Sequence, residues 1–360
     1  MMHVITDLDT GGAETMLANL VIAHSGDPLP PVVVSLVPGG SQSKRIGDAG
    51  LQVRDLGMAR GRPSLAAIRR LANLIQEHRP RVIQSWMYHA DLITLAALYL
   101  SGRRKKTTLL WGVRCSDMDM RRYSWRLRWV VRACALLSFL PNAVVANSHA
   151  GRTLHRSLGY RPRNFLVVPN GVDTSRFWPD PELRQQVRAE LGLGDDDFVV
   201  GAAARVDAMK DYPTLLSAIA RVPGVRGVVA GRGTESLADQ AGLIRLGERD
   251  DLPRLFNGFD VFVLASAFGE GFSNALVEAM ATGLPVITTD VGDGALIVGD
   301  CGVVVRPSEP GRLAEAISEL KDDPARCAQL GRDARQRVVD QFDLTRAVKG
   351  FDNLHSDPRI

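Results

Sequence analysis

A chain of 360 residues exceeds the length at which a single hydrophobic core keeps growing, so two domains of ordinary size are expected. Hydrophobic content of 45% with 23% charged and 6% aromatic residues excludes a disordered, collagen-like or disulfide-framework protein. The net charge of +4 hides an asymmetry: 23 Lys+Arg face 10 Asp+Glu up to Val172, against 21 and 30 beyond it, so a basic half precedes an acidic one.

Cys115, Cys134, Cys301 and Cys327 form no CxxC pair, which argues against a structural zinc or redox motif and fits a reducing compartment. The N-terminal MMHVITD enters a short apolar strand with no basic region and long apolar core, so no secretory signal is readable. Apolar runs at Ala90–Leu100 and Val130–Ala146 are too short or carry Arg132 and Pro141, and the chain is not expected to span a membrane.

Short β-rich runs alternate with helical patterns throughout, the signature of βαβ units and parallel sheets. In the first half, strands are expected near His3–Thr6, Val32–Val37, Val82–Gln84, Thr107–Val113, Ala143–Asn147 and Phe165–Val168. Turn formers at Pro169-Asn-Gly-Val-Asp173 and Pro179-Asp-Pro181 mark the domain junction. The second half predicts strands near Phe198–Ala203, Val225–Val229, Ile244–Leu246, Val261–Leu264, Val286–Thr289 and Val303–Val305. Helices are expected at about Pro213–Ile219, Ser273–Met280, Arg312–Leu320 and Pro324–Gln341.

The stretch from Phe268 to Ile287 reads as Gly-rich turn, helix, Gly-Pro turn and strand. Gly269 and Gly271 let backbone approach a ligand, and the helix starting near Ser273 aims N–H groups and a positive dipole at it, which suits a diphosphate. Glu278 lies eight residues after Glu270, a little over two turns at about 3.6 residues per turn, and can accept hydrogen bonds from two ribose hydroxyls. Two such glutamates also fit a solvated helix face; the flanking glycines and Asn274 favour the site. A second cluster, Ala203 to Pro213, follows a strand, so Arg205 and Lys210 stand at a sheet's carboxyl end as fixed charge for a leaving diphosphate.

These motifs resemble the retaining glycosyltransferases of family 4, the group 1 glycosyl transferases, with the GT-B fold. The resemblance rests on Gly11-Gly-Ala-Glu14, Val168-Pro-Asn-Gly-Val-Asp173, the Arg205/Lys210 cluster, and Glu270-x7-Glu278 with Gly271, Ser273, Asn274 and Gly283-Leu-Pro285, in order across nearly the whole chain. It implies two Rossmann-like α/β domains with parallel sheets facing across a cleft. Residues 1–172 form the acceptor-side domain, 173–341 the nucleotide-sugar domain, and a tail of about 342–360 crosses back.

By the same resemblance, Arg205 and Lys210 contact the donor diphosphate and Glu270 lies by the transferred sugar, the three catalytic candidates. Donor binding falls to Gly271, Phe272, Ser273, Asn274 and Glu278. Gly11 and Gly12 approach the reaction centre from the other domain. Many relatives carry a histidine near the acceptor where Cys115 stands here, and His89 is a second candidate; either has an ordinary structural reading too. No cofactor and no metal are expected, although Asp7-x-Asp9 and Asp117-x-Asp119 have the form of a DxD metal motif.

Arg121 to Arg132 combines five arginines with two tryptophans: Arg121, Arg122, Trp125, Arg126, Arg128 and Trp129 are the expected contacts with an anionic membrane. A packed helix with a solvated basic face is the competing reading. Trp86-Met-Tyr-His89 and Trp111-Gly-Val-Arg114 resemble family members from bacterial surface-polysaccharide pathways, which implies transfer of a sugar, from a UDP-sugar by preference, to a lipid-linked saccharide. The expected location is the cytoplasm, peripheral to the inner membrane face. An inactive sugar-nucleotide-binding scaffold and a sugar-nucleotide epimerase of the same architecture remain alternatives. A nicotinamide oxidoreductase lacks its G-x-G-x-x-G, and nucleic-acid binding lacks a recognisable module.

Overall fold

A computed structural model describes residues 1–9, 11–59, 64–115 and 124–357. The chain divides into two compact units, the first Met1–Pro169 with Ala347–Ile360, the second Asn170–Arg346.

The first unit is built on seven strands: β1 (Met2–Ile5), β2 (Val32–Ser35), β3 (Val53–Asp55), β4 (Val82–Trp86), β5 (Thr108–Val113), β6 (Ala143–Ala146) and β7 (Phe165–Val167). They pair in parallel in the order β3-β2-β1-β4-β5-β6-β7. Every residue of β1 and β6 is buried, as strands covered on both faces require, which is why their sequences run apolar without alternation. β3 escapes a sequence reading: it is three residues long, and Arg54 and Asp55 are exposed at the sheet edge. Expected strands otherwise overlap those found, with ends moved by one to two residues.

Helices cross between these strands. Leu65–His78 starts at Ser64, whose hydroxyl accepts from the Ala67 amide at 3.3 Å, and lays Ala67, Leu71, Ala72 and Ile75 on the sheet. The tail forms the helix Leu344–Ser356 and belongs to this unit from Ala347 onward. Phe351 is fully buried beside Trp86, ring centroids 5.8 Å apart, and His355 Nε2 lies 2.7 Å from Gln84 Oε1.

The second unit carries β8 (Phe198–Ala203), β9 (Val225–Ala230), β10 (Leu243–Arg245), β11 (Val261–Leu264), β12 (Val286–Thr289) and β13 (Val303–Val305), in the parallel order β10-β9-β8-β11-β12-β13. Period-two alternation sends Val199, Val228, Phe262 and Val286 into one core and Val200, Val229, Val263 and Ile287 into the other, so the sheet is sandwiched.

Both sheets reverse their winding direction at one place, between β1 and β4 in the first unit and between β8 and β11 in the second. Loops leaving the carboxyl ends of the strands at such a reversal form the ligand crevice of an open α/β sheet. Among the described residues no helix is long and apolar enough to cross a membrane.

Candidate active site

In the second unit, the loops after β8 and β11 bring the predicted residues to that crevice. The loop after β8 is held by Tyr212, whose hydroxyl donates to the Ala204 carbonyl at 2.6 Å, and by Asp207, which accepts from the Met209 amide at 3.0 Å. That amide, then burial opposing it, then the Arg205 charge, leave the Asp207 carboxyl below its ordinary range. The Ala267 amide donates to the Met209 carbonyl at 2.8 Å and ties this loop to the one after β11. Arg205 is half exposed, its Nε 3.5 Å from Asp207.

Lys210 and Glu270 meet directly: Lys210 Nζ donates to Glu270 Oε1, and the same oxygen accepts from Ser266 Oγ at 2.6 Å. Glu270 is buried and Lys210 nearly so. Residues expected at separate parts of the donor thus form one charge-assisted network. Gly292 makes room for it. Its φ of +64° suits glycine, and a Cβ there would sit 1.9 Å from the Glu270 carbonyl oxygen.

The helix Asn274–Ala281 follows, with Ser273 as its N-cap making no side-chain capping bond. Its first-turn amides have no partner within the helix and, with the dipole, favour an anion. Asn274 Oδ1 accepts from Asn170 Nδ2 at 2.9 Å. Phe272 packs edge-on against Phe342, centroids 5.6 Å apart. Glu270 itself lies on the turn before the helix, whereas Glu278 lies inside it. Burial raises the Glu278 carboxyl to about 7, opposed by the charge of Arg176.

In the first unit the predicted residues follow three adjacent strands. Gly11 caps the helix Gly12–Ala23 after β1, His89 lies in the first turn of the helix Tyr88–Leu100 after β4, and half-buried Cys115 follows β5. Burial lowers the His89 pKa, keeping the ring neutral near pH 7. Met87, before it, holds φ +73° and ψ 158°, a conformation that costs a non-glycine residue about 1–3 kcal/mol and tends to cluster at functional turns. Burial raises the Glu14 carboxyl, with Asp7 and Asp9 adding to the effect. No three His, Cys, Asp or Glu side chains gather to hold a metal among the described residues. Asp117 and Asp119 lie outside the described residues.

The helix Trp125–Leu137 buries Val131, Cys134 and Ala135 and exposes the opposite face. Trp125 and Trp129 are 65% and 62% exposed, and Leu136 and Phe139 continue the stripe at 75% and 53%. Arg126 and Arg132 guanidinium groups lie 5.5 and 5.6 Å from the tryptophan ring centres. Arg121 and Arg122 lie outside the described residues.

Sequence reasoning missed Ser266, Arg176, Gly292, Leu136 and Phe139. Asn170 entered only as part of the junction and the Val168–Asp173 family motif, with no role of its own.

Comparison with known proteins agrees with this architecture. Residues 10–176 match the family model described as Glycosyltransferase Family 4, and residues 197–323 match Glycosyl transferases group 1. EpsF of Bacillus subtilis, described as a glycosyltransferase, is 28% identical over 98% of this chain and 92% of its own. The D-inositol 3-phosphate glycosyltransferase of Mycobacterium tuberculosis is 36% identical, over 45% of this chain and 37% of its own. The solved structure of Anabaena HepE in complex with UDP superposes with a TM-score of 0.85 at 21% identity, covering 99% of both chains. With two parallel-sheet units and both halves matched, the chain belongs to the family 4 glycosyltransferases and has the GT-B fold.

Proposed function

We propose that the protein transfers a hexose or N-acetylhexosamine from a UDP-sugar to a lipid-linked saccharide in surface-polysaccharide synthesis, with retention of anomeric configuration. The observation that carries this reading is the convergence of Arg205, Lys210, Glu270 and the helix Asn274–Ala281 on loops leaving β8 and β11. The UDP complex of the similarly folded Anabaena protein supports a uridine nucleotide as the donor.

Arg205 and Lys210 stabilise the diphosphate as negative charge develops on it, and the amides of 271–274 share that load. The network at Glu270 then rearranges: Lys210 turns from the carboxylate to the phosphates, and Glu270 accepts from the transferred sugar's hydroxyls. Glu278 accepts from the ribose. The departing phosphate oxygen takes the acceptor's proton, so no metal and no enzyme-borne base is needed. His89 and Cys115 line the acceptor side with Gly11 and Gly12.

The exposed stripe of Trp125, Trp129, Leu136 and Phe139, flanked by Arg126, Arg128 and Arg132, supports a lipid-borne acceptor. Indoles favour the membrane interface and arginines its anionic headgroups. Contact is peripheral, at the inner face of the cell membrane.

The test incubates the protein with a panel of UDP-, GDP- and other nucleotide sugars, with and without membrane lipid extract, in EDTA, and follows nucleotide release. Release that requires extract and labels the lipid fraction is the expected result. Release of nucleotide and free sugar without extract contradicts it and points to the epimerase reading; no release from any donor points to a scaffold.

A further inference from the structure

The chain passes out of the first unit between Pro169 and Asn170 and returns between Arg346 and Ala347. Just inside the second unit these outgoing and returning segments are stitched together. The Val172 amide donates to the Phe342 carbonyl at 2.9 Å, the Leu344 amide to the Val172 carbonyl at 2.8 Å, and Thr174 Oγ1 to Asp343 Oδ2 at 2.5 Å. The result is a single parallel bridge, Val172 to Asp343, outside both sheets.

Each segment of this pair also sends one side chain to the start of the helix Asn274–Ala281: one to its first residue, the other to the turn before it. From the outgoing segment comes Asn170, only 4% exposed, donating to Asn274 Oδ1; from the returning one comes Phe342, packed on Phe272. The chemistry of the Asn170 bond has a direction. A side-chain amide has one acceptor oxygen and one donor nitrogen. With Asn170 occupying the oxygen, Asn274 has N–H groups left to offer, the polarity that a phosphate requires. An asparagine turned the other way would present an oxygen to an anion.

We propose that Asn170 and Phe342 are positioning residues for the transfer reaction: the stitched pair of connecting segments sets the phosphate-facing turn 271–274, so that seating the donor and ordering the connections are one coupled event. The proposal rests on the reading that the donor diphosphate binds at this turn. It extends that reading to residues that touch neither nucleotide nor sugar. A ligand that orders a shared element is more tightly bound when the element is already held, and binding in turn protects the element from opening.

A double-mutant cycle with UDP as the probe tests it, using Asn170→Ala, Asn274→Ala and the double variant. Asn170→Ala is expected to weaken UDP binding about tenfold, the size of one well-placed hydrogen bond, while leaving the circular-dichroism spectrum intact. The double variant should bind no more weakly than Asn274→Ala alone. Asn170→Ser, which keeps a donor, should recover part of the loss. In hydrogen exchange, UDP should protect the Val172 and Leu344 amides in the wild-type protein and not in Asn170→Ala; Phe342→Leu should show a reduced form of the same loss.

Unchanged UDP affinity in Asn170→Ala, or strictly additive losses, would overturn the proposal. Arg205→Ala and Lys210→Ala serve as the reference. If they weaken UDP binding and Asn170→Ala does not, the coupling is wrong and the donor site stands. If neither does, the donor site itself is misplaced.

Discussion

The ammonium of Lys210 rests on Glu270, whose carboxylate oxygen also accepts from Ser266. Both partners are largely withdrawn from water, so removing one strands the other's charge. Lys210→Met is therefore expected to cost about 3–5 kcal/mol in urea denaturation, and joint replacement with Glu270→Leu to recover most of it. A double variant no more stable than Lys210→Met would show that the pair is not coupled in the folded protein.

If Glu278 holds the donor ribose as proposed, nucleotide binding acquires a pH dependence near neutrality. Its carboxyl is pushed up to about 7 by burial, so it is protonated in the free protein below that pH and ionised above it. The ionised form is the stronger acceptor for ribose hydroxyls, so UDP affinity should rise as pH passes upward through about 7. The linkage for stability has the opposite slope. A folded pKa above the unfolded value adds stability that is full below about 4.5 and lost as pH rises through about 7. Glu278→Gln should flatten both profiles, in calorimetric titration and in thermal unfolding; an unaltered pH profile in the variant would assign the dependence elsewhere.

The docking of the tail helix should weaken in acid. Burial first, then neighbouring positive groups, hold His3 well below its ordinary pKa and bring His355 down to about 3. Both rings are neutral in the folded protein and would be charged once released. For a histidine whose folded pKa is depressed, stability is present above about 6.5 and lost as pH falls toward the folded value. Protection factors for hydrogen exchange in the helix Leu344–Ser356 should fall between pH 6 and 4, and His355→Gln should reduce the effect. Equal protection across that range would contradict it.

The membrane contact proposed for the exposed indoles can be tested apart from folding. Trp125→Ser with Trp129→Ser removes side chains that cover little of the core, so unfolding should shift by no more than about 0.5 kcal/mol per site. Sedimentation with phosphatidylglycerol vesicles should fall at least about tenfold, since each lost indole forfeits burial in the interface. Undiminished vesicle binding would move the membrane contact off this helix.

The sequence exposes what is local and hides what is folded together. Strands such as β8 and β11 are legible because parallel strands covered on both faces leave apolar runs without alternation. β3 is not, being an edge strand with two exposed charged residues. Arg205, Lys210, Glu270 and Glu278 could be named from turn glycines, a helix start and their place after apolar strands. Their mutual contacts could not: Lys210 and Glu270 are 60 positions apart, and Asn170 and Asn274 are 104 apart. Gly292 shows the same limit, since its need for glycine arises from a carbonyl on another loop.

The most direct measurement is single-turnover transfer of labelled sugar from UDP-sugar to membrane lipid extract, in EDTA, by the wild-type protein and by Arg205→Ala with Lys210→Ala. The account predicts a drop of at least about 10³-fold in the rate of the chemical step with the fold retained, because both fixed cations on the leaving diphosphate are gone. Transfer at the wild-type rate in the double variant would contradict it and place the chemistry outside the loops that follow β8 and β11.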